Sequence, residues 1–355
     1  MNLYIVFAIL IFGFLITIHE FGHFITAKAF GVKVNEFSIC MGPAIWKKQK
    51  GETLYAIRCI PIGGYCAMEG EDEDSGDPRA FTRAKWWKRL LILVAGSAMN
   101  FLAGLLILVC IFSFASGSVI AQPVISGFDA GNTIEGAEGL QVGDRIYKID
   151  GERVYTAENI SMLLNLFGGT THDVVVIRDG EKVTLDDFSM EKQAFPTETG
   201  QELRYGMRLQ QASRTLGNTL AYSWNTSVDF VRSVRLSFQM LFTGKAGIQD
   251  LSGPIGIVKV IADTGNQSGS VSAGVTNVLY LAAFIAVNLA VMNLLPIPAL
   301  DGGRVFCLLV TTGIEAVTKK KVNPKIEGYV HAVGMVVLLA FMAFVAFQDV
   351  FKIIR

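Results

Sequence analysis

Residues 13–30 read GFLITIHEFGHFITAKAF, a run that sets His19, Glu20 and His23 among Leu, Ile and Phe. Ionisable side chains at the centre of a membrane helix cost about 2.5 to 3.5 kcal/mol each on insertion scales, so three together call for a partner that offsets the cost. On a helix, positions 19 and 23 lie one turn apart on one face. Both imidazoles then reach a single ion, with Glu20 beside them for a metal-bound water. Zinc suits imidazole and carboxylate ligands, and its catalytic sites take three protein ligands and keep a fourth position for water. The same five-residue pattern also occurs on ordinary amphipathic helices, and a buried cluster of this kind can instead be an interhelical hydrogen-bond network. The apolar setting is what favours the metal.

That setting extends along the chain. Of the 355 residues 51% are hydrophobic and only 17% charged, with a mean hydropathy of +0.44, a balance that points away from a soluble enzyme and toward a membrane protein. Uncharged apolar runs cover residues 3–18, continuing into the histidine motif, and residues 90–115, 275–300 and 329–348. At about 1.5 Å per residue each can cross a hydrocarbon core of roughly 30 Å, so four transmembrane helices are expected. Residues 1–4 contain no basic segment and no small-residue cleavage site follows the apolar core, which makes the first span a retained helix rather than a signal peptide. Lys28, Lys33, Lys47, Lys48, Lys50, Arg58, Arg79, Arg83, Lys85, Lys88 and Arg89 crowd the connection between the first two spans. The positive-inside rule puts that connection in the cytoplasm and the N-terminus outside. Arg304, Lys319, Lys320, Lys321 and Lys325 put the third-to-fourth connection on the same side, so residues 116–274 face outward. The zero net charge does not oppose this, because acidic residues such as Glu69, Glu71, Asp72, Glu73 and Asp74 weigh little in the rule. Cys40, Cys59 and Cys66 belong to the cytoplasmic loop, and Cys110 and Cys307 lie in or next to spans. None falls in the outward segment, so no disulfide framework is implied.

The loop at about 31–68 mixes β-type runs, 32–39 and 53–60, with Gly and Pro punctuation, as a hairpin-rich element does. It is expected to dip toward the bilayer or the active site, where non-helical backbone needs protein or a wet cavity around it. Residues 119–190 read as a soluble α/β module: turn and strand through GLQVGDRIYKIDGERV, a helix over TAENISMLLNLF capped by Thr156, and a hairpin around Asp179 and Gly180. Gly139, Leu140, Gly143, Asp144 and Ile146 make a G-L-x-x-G-D-x-I signature that resembles the PDZ domains of bacterial membrane proteases, preceded here by GNTIEGAE in place of a small-residue and proline run. Over residues 212–242, Leu216, Leu220, Trp224, Val228, Val231, Phe238 and Leu241 recur at helical spacing. They predict an amphipathic helix that lies on the outer membrane surface or packs on the other helices.

A third metal ligand must sit at the depth of the histidines. The first and third spans run in the same direction, and the inner end of the third carries NLLPIPALDGGR, with Asp301 after two prolines that interrupt the helix. His331, Glu315 and Glu327 stand as rivals, His331 reading more naturally as an interface histidine bonded to a neighbouring helix.

The HExxH at 19–23, G-x-x-x-N at Gly96 to Asn100, the PDZ signature, LSGPIGI at 251–257 and N-x-x-P-x-P-x-x-D-G-G at 293–303 occur in the order found in site-2 proteases. Over essentially its whole length the chain resembles the bacterial RseP-type intramembrane zinc metalloproteases, in the form with a single PDZ domain. The resemblance implies a polytopic α-helical membrane protein of the bacterial inner membrane, with four transmembrane helices, a cytoplasmic-side β-hairpin-rich loop and an extracytoplasmic PDZ domain. It implies Zn2+ held by His19, His23 and Asp301, with Glu20 catalytic, Asn293 holding an unwound substrate and Asn100 close to the site. Two positions depart from the family pattern: Ser97 follows Gly96 where Pro is usual, and Cys40-Met41 stands where Gly-Phe precedes Gly42-Pro43. The expected organisation is 1–115 for the first two spans and the loop, 116–200 for the PDZ domain, 201–274 for the amphipathic helix and a linker, and 275–355 for the last two spans. Expected partners are single-span substrates such as anti-sigma factors or remnant signal peptides, and the lipid bilayer, with no nucleic acid. The rival reading is a membrane-embedded PDZ scaffold or metal-handling protein. Glu20 separates the two, because a structural or transport site needs no base beside its ligand.

Overall fold

In lipid a backbone must satisfy its own hydrogen bonds, so the apolar runs become helices. The structure is a computed structural model of the chain. Residues 3–71, 75–115, 118–197, 200–247, 249, 251–319 and 324–354 are described, with 62, 197, 324–327, 353 and 354 described by their backbone alone. Asp72, Glu73, Asp74, Lys320, Lys321 and the Lys325 side chain, which entered the charge argument, lie outside the described residues. The chain divides into two units, Met1–Leu108 with Phe230–Arg355, and Val109–Asp229.

In the first unit, α1 (Leu3–Ala29) is followed by β1 (Val34–Lys50), β2 (Thr53–Met68), a 3-10 turn at Phe81–Arg83 and α2 (Trp86–Phe114). The later part holds the end of α4 (Leu216–Phe242), then α5 (Pro254–Asn266), α6 (Val271–Asn293), α7 (Asp301–Thr318) and α8 (Pro324–Ile354). Among the described residues four helices are long and apolar enough to span a membrane, namely α1, α2, α6 and the Gly328–Lys352 part of α8, at the four places the hydropathy marks. A Cβ on Gly22 would stand 2.4 Å from the Ala95 carbonyl oxygen. The backbones of α1 and α2 therefore touch there, the close approach that small residues allow between membrane helices. Tyr4, Ala8 and Leu15 of α1 bury themselves with Ile261 of α5 and with Val278 and Ala286 of α6.

β1 and β2 meet at a two-residue turn, Gly51-Glu52, with Gly51 at φ +63°. Their register is doubled: Glu36, Phe37, Ser38 and Ile39 face Ala67, Cys66, Tyr65 and Gly64 on one side and Leu54, Tyr55, Ala56 and Ile57 on the other. Leu54, Tyr55, Ala56 and Ile57 pair in turn with Gln49, Lys48, Lys47 and Trp46. The result is a ribbon four stretches wide, whose edges are residues 64–67 and 46–50. The path reverses through Cys40 at φ +68° and Gly42 at φ +87°, so Cys40 holds a left-handed conformation that favours glycine. The ribbon is seated by Val34, Phe37 and Met68 against Ala27 of α1, Phe81, Ile92 of α2 and Leu308 of α7.

Two helices were not anticipated. The third apolar run is helical only to Asn293, because Pro296 and Pro298 withdraw amide donors, and a new helix, α7, starts at Asp301. The expected linker at 201–274 contains α5, for which Pro254 in the first turn was the available signal. The amides of Gly253 and Gly256 donate to the buried Asp349 carboxylate of α8 at 3.2 and 2.8 Å, and Lys352 donates to the Leu251 carbonyl at 2.8 Å. The start of α5 is thus capped by a side chain from another helix.

The second unit contains β3 (Ile120–Phe128), β4 (Arg145–Ile149), β5 (Glu152–Arg153), α3 (Glu158–Phe167), β6 (Thr171–Arg178), β7 (Glu181–Ser189), β8 (Gln193–Thr197), β9 (Gly200–Arg204) and β10 (Met207–Ala212). The sheet runs β10-β3-β4-β6-β7, with β5 on β4 and β8-β9 as a separate pair. Because β10 pairs with β3, the sheet continues past the boundary expected at 200. Ile125, Leu140, Ile146, Ile149, Leu163, Val174 and Val176 fill its core. Asp179 and Gly180 turn the β6-β7 hairpin with φ of +51° and +88°, the left-handed pair that matches strand twist. Thr156 does not cap α3; Asn159 reaches back instead, its Oδ1 accepting from the amides of Tyr155 and Thr156 at 2.9 and 3.2 Å. In α4 the periodic apolar residues Leu216, Leu220 and Trp224 are exposed, while Thr219, Ser223, Thr226 and Ser227 are buried. Small hydroxyl residues pack closely and bond their own helix, as Ser227 does to the Ser223 carbonyl at 2.9 Å, which leaves the apolar stripe facing outward.

Candidate metal centre

The helical turn between His19 and His23 does what the spacing predicts. Their Nε2 atoms stand 3.2 Å apart, and Asp301 Oδ2, at the first residue of α7, lies 3.0 Å from His19 Nε2 and 3.3 Å from His23 Nε2. The histidines are 8% and 6% exposed. Among the described residues this is the one group of three His, Cys, Asp or Glu side chains placed to share an ion.

The protonation of the ring nitrogens follows from their other contacts. His23 Nδ1 donates to the Ile92 carbonyl of α2 at 2.8 Å, which leaves a lone pair on Nε2. His19 Nδ1 faces the side-chain amides of Asn100 and Asn293 at 3.4 and 3.5 Å. Asn100 is buried and its Oδ1 has no hydrogen-bond partner. Turning that amide over puts Oδ1 where it accepts from Nδ1–H, and His19 then also presents an Nε2 lone pair.

Asp301 Oδ2 is likewise buried without a hydrogen-bond partner. Three lone-pair atoms 3.0 to 3.3 Å apart in a buried place repel one another unless a cation lies between them. Ligands about 2.0 to 2.1 Å from a tetrahedral zinc stand about 3.3 Å from each other, so the donor set and its spacing fit that ion. The wall opposite leaves no room for more: a Cβ on Gly96 would lie 2.5 Å from His23 Nε2 and 2.8 Å from His19 Cε1.

Glu20 points beside the centre toward the ribbon. Its Oε2 accepts from the Cys66 amide at 3.1 Å, which fixes the carboxylate and leaves Oε1 to a proton. Cys66 pairs across the ribbon with Phe37, yet its amide turns away from β1 to reach Glu20. Gly64, two residues before it, is buried, and a Cβ there would stand 2.9 Å from the Ser38 carbonyl oxygen.

The rival ligands stand elsewhere. His331 Nδ1 accepts from the Ala299 amide at 3.1 Å and holds the loop leading to Asp301, in which Ala299 has φ +79°. Glu315 is exposed near the end of α7, and the Glu327 side chain lies outside the described residues. Gly302 and Gly303 serve close packing: a Cβ on either would meet the carbonyl oxygen of Leu295 or Ile297 at 2.2 or 2.4 Å. Arg304, one turn after Asp301, pairs with Glu71 beyond the ribbon. The Ile92 carbonyl and the Cys66 amide carry no signal in the sequence because they are backbone groups. Gly96 was visible in G-x-x-x-N, but only its partner Asn100 was read as near the site.

Residues 7–341 match Peptidase family M50. A protein of Clostridium acetobutylicum assigned by name to the zinc metalloproteases is 38% identical over 351 residues, covering 98% of this chain and 97% of the relative. A similarly assigned protein of Clostridium perfringens is 32% identical over 350 residues, 98% of each chain. The zinc metalloprotease RasP of Shouchella clausii is 27% identical over 425 residues, covering 97% and 98%. With a match across nearly all of its length, and two histidines and an aspartate converging beside a glutamate, the chain belongs to peptidase family M50.

Proposed function

We infer that this protein is a membrane-embedded zinc metalloprotease that hydrolyses peptide bonds within or near the transmembrane segments of single-span substrates. The observation that carries the reading is the convergence of His19, His23 and Asp301 on a buried point with Glu20 beside it. His19, His23 and Asp301 hold Zn2+, and Asn100 and the Ile92 carbonyl orient the two imidazoles. Bound there, Zn2+ supplies a Lewis acid that polarises a peptide carbonyl and acidifies water. Glu20 Oε1 takes the proton of the attacking water while the Cys66 amide holds Oε2, and the same carboxyl then gives the proton to the leaving amine. Asn293, at the end of α6, keeps its amide near the unwound substrate.

A helical substrate hides its carbonyls and must be extended before it is cut. The ribbon edge at residues 64–67 adjoins Glu20, and it is the stretch proposed to receive the extended substrate by strand addition. This edge lies just beyond the β-type runs, 32–39 and 53–60, that the sequence marks. The second unit is read as a PDZ module that excludes substrates with bulky outer domains. Where the preceding loop enters its signature, the amides of Gly136, Gly139 and Leu140 donate to the carbonyls of Leu140, Gly136 and Ile134, so they are turned inward rather than toward a peptide carboxylate. Asp144, 1% exposed, is bound to Arg178 at 2.7 Å and serves the fold. The protein is oriented with its N-terminus and this module outside the cytoplasmic membrane, its substrates including anti-sigma factors or remnant signal peptides.

Purified protein carrying Glu20→Gln is expected to keep its zinc and to lose cleavage of a synthetic transmembrane peptide by about 10²- to 10⁴-fold. Cleavage at the wild-type rate by that variant would overturn the protease reading and favour a scaffold or metal-handling role.

A further inference from the structure

Where the chain leaves α1 through Phe30 and Gly31, a cavity of about 210 Å³ opens toward the start of α2. It is smaller than the roughly 300 to 1,000 Å³ of drug-sized ligand sites and suits a headgroup fragment. Among the described residues its lining includes four cations, Arg79, Arg83, Lys85 and Lys88, and no carboxylate. Among the described residues Glu52 pairs with Lys28 and Arg79 at 2.8 and 2.6 Å, and Asp77 with Lys33 at 3.2 Å. Lys88 is fixed at the wall: its Nζ donates to the Phe30 carbonyl at 3.1 Å and lies 5.7 and 5.8 Å from the ring centres of Phe30 and Trp87.

Two further observations give the cavity a direction and a setting. The amides of Lys88 and Arg89 both bond to the Lys85 carbonyl, so Trp86 and Trp87 form the first turn of α2, where amides have no acceptor within the helix and the dipole favours an anion. Trp86 and Trp87 are also 49% and 39% exposed at the mouth of an apolar span, the position where indole rings sit at headgroup depth. A basic recess at the shared end of two membrane helices, bordered by exposed indoles, is reached along the bilayer surface, where phospholipid is the abundant anion.

The geometry points to a binding site for the phosphate of an anionic glycerophospholipid, held by Lys85 and Lys88 at the junction of α1 and α2, with Arg79 and Arg83 contributing charge beside contacts they already make. The site is independent of the catalytic reading. Phe30 follows His23 by seven residues, about 10 Å along a helix axis, so a lipid phosphate seated here sets the depth of the metal centre below the headgroups.

The test uses the full chain purified in mild detergent, stripped of lipid and exposed to phosphatidylglycerol or phosphatidylcholine, with bound lipid counted by native mass spectrometry. Wild type is expected to retain one phosphatidylglycerol, preferred over phosphatidylcholine by about tenfold. The pair Arg83→Gln and Lys85→Gln should lose most of that preference, whereas Lys47→Gln with Lys48→Gln, which removes the same charge from the exposed ribbon, should keep it. Equal loss in both pairs, or no preference in wild type, overturns the site in favour of diffuse attraction. Displacement of the lipid by millimolar inorganic phosphate assigns the cavity to a soluble anion and overturns the lipid. Should the first pair fail to fold, photo-crosslinking of wild type with a headgroup-labelled phosphatidylglycerol decides: adducts within residues 79–88 support the site, and adducts spread over all basic loops refute it.

Discussion

Asp301 and His331 both lie next to the proline loop, yet the first turns its carboxylate toward two imidazoles and the second accepts an amide from Ala299. Asp301→Ala should therefore remove most of the bound zinc, and His331→Ala should leave it nearly unchanged; metal analysis of the two purified variants checks this, and the reverse pattern would move the third ligand to α8. Gly96 makes a sharper demand. An added methyl group stands 2.5 Å from His23 Nε2, so Gly96→Ala must displace an imidazole or part α1 from α2. Zinc affinity, measured by competition with a chelator, should fall about 10- to 100-fold, the range seen when groups supporting metal ligands are lost. At this scale the sequence was highly legible for side chains. His19, Glu20, His23 and Asp301 stand out because charge in an apolar run is conspicuous, while Ile92 and Cys66 act through backbone atoms that every residue possesses.

Among the elements, the ribbon was legible as β structure and illegible in its pairing. Its runs of alternating and branched residues mark strands, but nothing local says that Glu36 faces both Ala67 and Leu54, since those partners are 31 and 18 positions away in the chain. Helices α5 and α7 were hidden for a related reason: one begins in a motif rich in Gly and Pro, the other directly after a loop, and neighbours supply what their own sequence lacks, as Asp349 does for α5. The paired edge at residues 64–67 yields a backbone-level prediction. A substrate peptide N-methylated at one amide within the segment that lies on the 64–67 edge should lose cleavage by tenfold or more, roughly the loss of one to two hydrogen bonds. Trp46→Pro, on the far edge, should leave cleavage unchanged. Unchanged cleavage with every N-methylated position would remove strand addition from the mechanism.

Across the whole molecule, the number of spans and the order of motifs were readable because hydropathy is a local property, whereas the extent of the sheet in the second unit was not, since β10 joins it from beyond the expected boundary. The loop after the ribbon shows how global stability depends on pH. Glu69 is held down to about 2, from an ordinary 4.5, by Ser75, Asn35 and Lys33, and Lys33 also binds Asp77. A carboxylate with a depressed folded value stabilises above its unfolded value and loses that contribution as pH falls toward its folded one. Wild type should therefore melt above Glu69→Gln at pH 6, and the difference should close between about pH 4.5 and 2; a gap independent of pH in detergent melts would assign the effect to packing. The outward amide of Cys66, given to Glu20, has one more consequence. On the strand-addition reading, a substrate strand on this edge finds the Cys66 amide already taken, so its ladder stops at the anchored carboxylate. A slip of one residue turns every side chain to the wrong face, and a slip of two carries the scissile bond out of reach. On that reading the edge acts as a stop gauge, and the new ends left on cut chains are expected to be uniform rather than ragged.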